Sequence, residues 1–196
     1  PYDADRVAEI IVELVKRNAP TFDIYIRPFI YKADLELGPK LKGIRDELAI
    51  YMIPLQEYLP ITHPIRLMVS SWRRVEDNII PSRGKVTGAY INSALARDQA
   101  EECGFDDAIM LNAAGKVAEG SGANLFIVRG DALITTPVTA DILEGITRRS
   151  LLEFARDLGI PIEEREIDRS ELYICDEAFL CGTGVQIAPI GSIDGR

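Results

Sequence analysis

Three short glycine-containing segments hold the side chains of this sequence that could do chemistry. They are SRGKVTGAY at 82–90, VAEGSGANLF at 117–126 and CGTGVQIAP at 181–189. The first offers an amine at Lys85, the second a carboxylate at Glu119 and the third a hydroxyl at Thr183. Taken singly, each segment is typical of an ordinary turn, and a lysine between glycines is usually solvated. Only their combination with other motifs indicates a site.

The single histidine, His63, excludes several kinds of chemistry. A Ser-His-Asp or Cys-His site would have to use it, yet it lies between two prolines in PITHPIR, which is typical of a rigid loop. A multi-histidine zinc site is impossible, and we expect no metal. Neither GxxxxGK[ST] nor GxGxxG is present, so nucleotide binding has no support. If the chain is an enzyme, its proton-transfer group is a Lys, Glu, Asp or Tyr.

Composition and charge narrow the class of protein. The 196 residues are 47% apolar and 27% charged, as in a globular protein with one core or two small ones. No apolar run approaches the roughly 20 residues that span a bilayer, and the first residues are not those of a signal peptide. A net charge of −9 argues against a nucleic-acid surface. The three cysteines form no C-x-x-C pair, and we expect a cytoplasmic protein with reduced thiols.

The apolar pattern predicts helices and strands that alternate irregularly along the chain. Apolar stripes of helical period predict helices at 4–17, 90–103 and 146–158, the second followed by Gly104 in the left-handed conformation. Alternating or short apolar runs predict strands at 23–31, 47–53, 65–72, 107–111, 124–128, 132–136, 160–167, 177–182 and 185–193. Arg129-Gly130-Asp131 is predicted as a hairpin turn between two of them. Strands dominate and helices pack outside them, so the predicted class is α+β.

A polar segment with Pro81 and Gly84, RRVEDNIIPSRG at 73–84, is the predicted interdomain linker. It would separate residues 1–72, part of a small N-terminal α/β domain, from residues 85–196, a larger β-rich domain with flanking helices.

An ordered series of motifs resembles the fold-type IV aminotransferases, and within them the branched-chain amino-acid aminotransferases. The motifs are YIRPFIY (25–31), SSW (70–72), NIIPSRGKVTGAY (78–90), EGSGANLF (119–126), GITRRSLLEFARDLGI (145–160), LYICDEAFLCGTG (172–184) and IAPIGSIDG (187–195). The resemblance covers nearly the whole chain from about Asn18 onward. It implies a two-domain α+β enzyme that uses pyridoxal 5'-phosphate, with 85–196 as the cofactor-binding domain.

The resemblance assigns cofactor contacts to residues of this sequence. Lys85 matches the catalytic lysine that binds the cofactor covalently and later moves a proton. Glu119 matches the carboxylate that faces the pyridine nitrogen and keeps it protonated, and Tyr90 the tyrosine that hydrogen-bonds the phenolic oxygen. Leu143 would pack on the ring. The phosphate would be held where a helix opens and by one hydroxyl, at Gly145, Ile146, Thr147 and Thr183.

Substrate contacts follow from the same resemblance. Tyr25 and Arg27 share one face of a strand by its period of two. Tyr25, Thr183 and the backbone at Gly184 would hold the α-carboxylate of a branched-chain L-amino acid or its 2-oxo acid. Arg27 would receive the distal carboxylate of glutamate or 2-oxoglutarate in the ping-pong reaction. Apolar walls would come from Tyr31 and Trp72.

Alternatives within and outside the family stay open from the sequence. A D-amino-acid aminotransferase or a 4-amino-4-deoxychorismate lyase would share Lys85 and Glu119, although YIRP and EGSGANLF favour the branched-chain enzyme. A non-catalytic or truncated homologue is a third possibility. The resemblance places an arginine of the phosphate site before Pro1 and the end of the large domain after Arg196. It also implies a homodimer or a homohexamer.

Overall fold

The computed structural model describes residues 2–55, 59 and 62–196. It divides the chain into two compact units, Pro1–Gln56 and Glu57–Arg196. The segment 73–84 that we predicted as a linker belongs to the second unit, where Arg74 and Ser82 are buried. The domain boundaries of the whole protein stay a prediction.

The first unit consists of one helix and a strand pair. Helix α1, Ala4–Asn18, confirms the predicted helix; the Asp3 side chain accepts the Arg6 N–H at 2.8 Å and caps its start. Strands β1, Ile24–Lys32, and β2, Asp46–Pro54, pair antiparallel. Among the described residues β1 pairs with β2 alone, so Pro28 stands on an edge strand, where its missing N–H costs no ladder hydrogen bond.

The second unit is built on one mixed sheet. Its strands are β3 (Ile65–Val69), β4 (Asp107–Leu111), β5 (Val117–Gly120), β6 (Asn124–Arg129), β7 (Ala132–Thr135), β8 (Ile162–Glu164), β9 (Glu177–Gly182) and β10 (Gln186–Ile193). Within the described part of the chain they form an eight-stranded sheet in the order β5-β4-β3-β10-β9-β6-β7-β8. Two α-helices, α2 (Tyr90–Glu102) and α3 (Ile146–Asp157), and two 3-10 turns, Thr87–Ala89 and Arg169–Tyr173, complete the unit. The predicted α+β class is confirmed.

The period of two along each strand divides the apolar side chains between two surroundings. Ile109, Leu125 and Leu180 join the largest core cluster of the sheet. Their neighbours point the other way: Met110 packs with small alanines of α2, and Phe126 packs with Leu152 of α3. The helices are therefore fixed on the sheet by residues that alternate with the main core.

Local signals placed most turns correctly. The predicted hairpin turn lies between β6 and β7, with Gly130 at φ 56°, and Gly104 follows α2 at φ 82°. Two predicted strands are too long. The strand at 160–167 is only β8, an edge strand that, within the described residues, pairs with β7 alone. The strand at 65–72 ends at Val69, because Ser70 Oγ accepts the Trp72 N–H at 3.0 Å and turns the chain.

Candidate active site

Glu119 on β5 is a buried carboxylate surrounded by hydrogen-bond donors, with 5% of the residue exposed. Arg74 Nε lies 3.0 Å from Oε1 and Asn124 Nδ2 lies 3.0 Å from Oε2, while the Leu143 N–H is 3.3–3.4 Å from the two oxygens. Burial raises the pKa of Glu119 to about 7, against the opposing effects of the Arg74 charge, the Leu143 N–H and the Lys85 charge. The carboxyl group therefore titrates near neutral pH.

Asn124, at the start of β6, locks the loop before α3 to this carboxylate. Its Nδ2 donates both to Glu119 Oε2 and, at 2.9 Å, to the Leu143 carbonyl. A Cβ on Gly145 would overlap Asn124 Oδ1, so any larger residue at this position would displace the amide. Asn124 therefore links strand β6 to both the buried carboxylate and the loop at 143–145.

The N-terminus of α3 follows directly. Gly145 is the N-cap residue, with φ −65° and ψ 139°, and no side chain of the described residues caps the helix. Ile146 is exposed and Thr147 half-buried. Arg148 anchors this end of the helix, because its buried Nη2 donates to the Thr136 carbonyl at 2.9 Å and to Glu164 at 2.8 Å. The free N–H groups and the helix dipole suit an anion such as a phosphate.

Lys85 lies in an exposed segment that leads into the 3-10 turn Thr87–Ala89 and then α2. Its Nζ is 5.5 Å from the centroid of the Tyr90 ring. The positive charge of Lys85 lowers the pKa of Glu119, although burial has the larger, opposite effect. The ammonium group is therefore within electrostatic reach of the carboxylate. The amine predicted to bind the cofactor thus lies beside Tyr90 and within electrostatic reach of Glu119.

The turn between β9 and β10 carries Thr183, which is exposed, and Gly184, which is half-buried. The β6–β9 register pairs Asn124 with Cys181, so this turn begins two residues after the strand partner of Asn124. Trp72, with 44% of its surface exposed, precedes Arg74 by two residues. The roles of Thr183, Gly184 and Trp72 stay predictions.

The three predicted substrate residues of the first unit lie on β1. Arg27 Nη2 donates to the Tyr25 hydroxyl at 2.9 Å, and the guanidinium carbon is 5.1 Å from the Tyr25 ring centroid. Tyr31 lies further along the same strand face and packs against Phe29, with ring centroids 5.9 Å apart. The predicted shared strand face is confirmed, and the substrate roles stay predictions.

Sequence reasoning missed two residues of the Glu119 environment, Arg74 and Asn124. Arg74 lies in the segment predicted as a polar linker. Its contact with Glu119 joins residues 45 positions apart in the chain, which no local pattern could indicate. Asn124 lay inside the motif EGSGANLF, where an amide at the start of a buried strand needs a hydrogen-bond partner.

These residues fit pyridoxal 5'-phosphate by their chemistry. A site for this cofactor needs an amine, an anion for the ring nitrogen and donors for the phosphate. Lys85, the buried Glu119 and the uncapped N-terminus of α3 supply one each. Across the described residues no group of three or more His, Cys, Asp or Glu side chains could hold a metal ion. In the same part of the chain, every helix is too short or too polar to cross a membrane.

Comparisons with known proteins identify the family of this chain. The family model of amino-transferase class IV matches residues 1–193. A probable branched-chain-amino-acid aminotransferase of Aquifex aeolicus is 47% identical over 196 residues, which are 100% of this chain and 63% of that protein.

Two solved structures share the architecture. The branched-chain aminotransferase of Thermoproteus uzoniensis with norvaline superposes with a TM-score of 0.97 at 46% identity, over 100% of this chain and 66% of the other. The branched-chain amino acid aminotransferase of T.th., complexed with N-(5'-phosphopyridoxyl)-L-glutamate, has a TM-score of 0.89 at 36% identity, over 100% and 64% of the two chains. This chain thus spans less than two thirds of each. It belongs to the amino-transferase class IV family and has the α+β architecture of a fold-type IV aminotransferase.

Proposed function

We propose that the protein transfers the amino group between branched-chain L-amino acids (Leu, Ile, Val) and 2-oxoglutarate, with pyridoxal 5'-phosphate bound at Lys85, in a ping-pong mechanism. The observation that carries this proposal is the buried Glu119, held by an ion pair, an amide and a backbone N–H within electrostatic reach of Lys85. The relatives support it, because one is complexed with norvaline and another with a phosphopyridoxyl derivative of glutamate.

Each cofactor residue has a task that its position can perform. The bound cofactor supplies an electron sink for the substrate Cα. Lys85 holds it and then, as a free amine, carries a proton to and from the substrate. Glu119, as a carboxylate, would keep the ring nitrogen protonated, and Tyr90 would donate a hydrogen bond to the phenolic oxygen. Phosphate binding falls to the start of α3, at Gly145, Ile146 and Thr147, with Thr183, while Leu143 covers the ring.

The proposed reaction requires the substrate residues to bind both the aliphatic side chain of a branched-chain amino acid and the distal carboxylate of glutamate. Arg27 can serve the carboxylate with charged hydrogen bonds, and its bond to the Tyr25 hydroxyl orients it. The family resemblance assigns the α-carboxylate to Tyr25, Thr183 and the backbone of Gly184, and apolar contacts with the substrate to Tyr31 and Trp72.

We also propose that the whole protein is a cytoplasmic homodimer or homohexamer. The family resemblance supports the assembly, and the three unpaired cysteines Cys103, Cys175 and Cys181 support the compartment. Light scattering on the purified protein would give the size; a monomer would contradict the proposed assembly.

A transamination assay on the full-length protein tests the activity. Initial rates with L-leucine, L-valine and D-alanine as donors to 2-oxoglutarate, and with aminodeoxychorismate, rank the branched-chain reaction against the alternatives. We expect L-leucine to be fastest; a faster rate with D-alanine or aminodeoxychorismate would reject the proposed substrate. Lys85→Ala should lack the visible absorbance band of the bound cofactor that the wild type shows and that borohydride removes. A wild type without this band would reject the enzyme altogether.

Arg27→Ala tests the donor specificity. Since only glutamate presents a second carboxylate, we expect kcat/KM for glutamate to fall about 10–100-fold, the effect of losing hydrogen bonds to a charged group. The rate with leucine should change far less. Arg17→Ala, an exposed arginine of α1, is the matched control and should leave both donors unaffected. Equal losses for the two donors would remove this role from Arg27.

A further inference from the structure

Arg74 and Glu119 form a buried ion pair that no sequence motif marks. Arg74 Nε lies 3.0 Å from Glu119 Oε1, and the two side chains are 8% and 7% exposed. Arg74 is itself fixed at two points. Its backbone N–H donates to the Leu111 carbonyl at 2.8 Å, and its side-chain Nε donates to the Asp141 carbonyl at 3.2 Å. The guanidinium group therefore has one defined place next to the carboxylate.

The charges around Glu119 make Arg74 the decisive partner. Asn124 and the Leu143 N–H are neutral donors, which orient the carboxylate without balancing its charge. Lys85 contributes a charge from further away, but the proposed function commits that amine to the cofactor. An arginine keeps its proton under all conditions in a protein, so Arg74 is the permanent cation in contact with Glu119.

We propose that Arg74 is a positioning residue for the cofactor: it keeps Glu119 ionised and directs the carboxylate toward the ring nitrogen. The role toward the ring nitrogen rests on the proposed function, whereas the ionisation of Glu119 does not depend on it. Arg74 acts through Glu119 and needs no contact with substrate.

The physical consequence can be given as a direction and a size. Burial raises the pKa of Glu119 to about 7 although Arg74 opposes the rise. Loss of an opposite charge at contact distance shifts a carboxyl pKa by about 1–3 units. Glu119 would then be a neutral acid at the pH of the cell, and a neutral acid does not stabilise a protonated ring nitrogen.

Two variants of Arg74 separate charge from packing, and two further variants serve as controls. Arg74→Met removes the charge and keeps an unbranched side chain, whereas Arg74→Lys keeps the charge. Arg73→Met is the matched control, because Arg73 is the neighbouring residue, exposed, and donates to the Ala113 carbonyl at 3.0 Å. Glu119→Gln identifies the Glu119 signal.

The first readout is the ionisation of Glu119 in the full-length protein stripped of cofactor. Carboxyl ¹³C NMR, with the signal assigned by its loss in Glu119→Gln, follows the titration from pH 5 to 10. We expect the midpoint to rise by about 1–3 pH units in Arg74→Met, to stay near the wild-type value in Arg74→Lys and to be unchanged in Arg73→Met. An unchanged midpoint in Arg74→Met would overturn the proposal.

A double variant keeps the test decisive if Arg74→Met is too unstable for the titration. Urea unfolding of Arg74→Met and of Arg74→Met with Glu119→Gln is then compared at pH 6 and at pH 10. At pH 6 Glu119 is a neutral acid in Arg74→Met, so the two proteins should be equally stable, whereas at pH 10 the carboxylate ionises without a counter-charge and the double variant should be the more stable. Equal stability at both pH values would mean that Arg74 only fills space, and the proposal would be wrong.

The second readout is cofactor binding. Pyridoxal 5'-phosphate is added to each protein, and borohydride followed by mass spectrometry reports the adduct on Lys85. A wild type that is not labelled at Lys85 would reject the proposed function and with it the cofactor half of this proposal, while the NMR result on charge would stand. If the wild type is labelled, we expect the cofactor dissociation constant at pH 8 to rise about tenfold or more in Arg74→Met, the factor that one pKa unit represents. Equal affinities would reject the positioning role.

Discussion

At the scale of single residues, the site depends on a carboxylate that the fold buries against its preference. An ionised carboxylate in a protein interior is costly unless it is paired and hydrogen-bonded. Glu119 has both forms of compensation, from Arg74 and from Asn124 and the Leu143 N–H, and burial still raises its pKa to about 7. A carboxyl group with a pKa near neutral that also feels the charge of Lys85 is suited to chemistry, since strongly shifted pKa values cluster at functional sites.

Gly145→Ala should disrupt this arrangement without altering any charge. The new Cβ would overlap Asn124 Oδ1 and push away the amide that donates to Glu119 and to the Leu143 carbonyl. A lost buried hydrogen bond costs about 1–3 kcal/mol, so we expect the affinity for pyridoxal 5'-phosphate to fall about tenfold or more. Fluorescence titration of the stripped full-length protein measures this affinity.

Gly191→Ala is the control for a crowded glycine elsewhere in the fold. Its Cβ would approach Pro64 Cβ to 2.8 Å, so the variant should lose stability without a specific effect on cofactor affinity. If Gly145→Ala binds the cofactor like the wild type, or if both variants weaken it equally, the role given to the Asn124 amide is wrong.

The functional residues differ in whether the sequence around them allows their role to be predicted. Lys85 and Glu119 lie in glycine-containing segments whose order along the chain is distinctive, so they could be predicted. Arg74 and Asn124 could not, because their importance comes from one hydrogen-bonding partner that the fold brings close. A residue whose role is a single tertiary contact carries no local pattern.

At the scale of elements, Glu171 connects three parts of the second unit. It belongs to the 3-10 turn Arg169–Tyr173 and accepts hydrogen bonds from Arg129 at the end of β6, at 3.1 Å, and from Arg165 after β8, at 2.6 and 2.9 Å. The Arg165 hydrogen bond lowers the pKa of Glu171 to about 2, with a further contribution from Arg129 and against the effect of burial. This ion network stabilises the junction of the sheet with the turn that follows it.

Glu171→Gln should therefore destabilise the protein in a pH-dependent way. Because the pKa of Glu171 is lower in the folded protein than in the unfolded chain, its stabilisation is complete above about pH 4.5 and is lost as the pH falls toward 2. We expect the variant to lose about 2–3 kcal/mol of unfolding free energy at pH 7, with a difference that shrinks below pH 4.5. Urea unfolding at several pH values measures it.

Glu163→Gln is the matched control, since Glu163 also pairs with Arg165 but its side chain is 50% exposed. It should change the unfolding free energy by less than about 1 kcal/mol. A Glu171→Gln difference that is constant across the pH range would contradict the ion network.

The elements also show why a strand pattern succeeds or fails. Strands buried on the sheet, such as β4 and β6, have apolar runs long enough to be predicted. β5 was missed because VAEG is four residues long and half of it is Glu and Gly. β8 was predicted too long because isoleucines stand on both sides of the charged run EERE, although an edge position lets the chain leave after Glu164.

At the scale of the whole molecule, 31 acidic and 22 basic residues give a net charge of −9. The carboxyl groups with a shifted pKa fall into two classes. In the first class, hydrogen bonds lower the pKa, as the Arg66 side chain and backbone do for Asp106 against the effect of burial. In the second class burial raises it, as for Glu119 and the fully buried Asp107. The two classes act on opposite sides of a stability optimum, since the first weakens the fold at low pH and the second toward neutral pH.

Glu119→Gln should flatten the neutral side of this curve. The pKa of Glu119 is about 7 in the folded protein, against an ordinary value of 4.5, so between these pH values the folded protein holds a proton that the unfolded chain has lost. Stability in the wild type therefore falls as the pH rises from 4.5 to 7, by about 2–3 kcal/mol from this group. The variant also removes the counter-charge of Arg74, but that cost does not depend on pH, because an arginine does not titrate in this range.

The quantity that identifies Glu119 is thus the slope of unfolding free energy against pH, measured by urea unfolding of the cofactor-stripped full-length protein at pH 4.5 to 8. Relative to the wild type, Glu119→Gln should gain about 2–3 kcal/mol across this interval, whatever its offset at pH 4.5. Glu102→Gln, at the exposed end of α2, should run parallel to the wild type. Parallel curves for Glu119→Gln as well would mean that Glu119 is already ionised throughout, and that Arg74 and its neighbours compensate fully for the burial of the carboxylate.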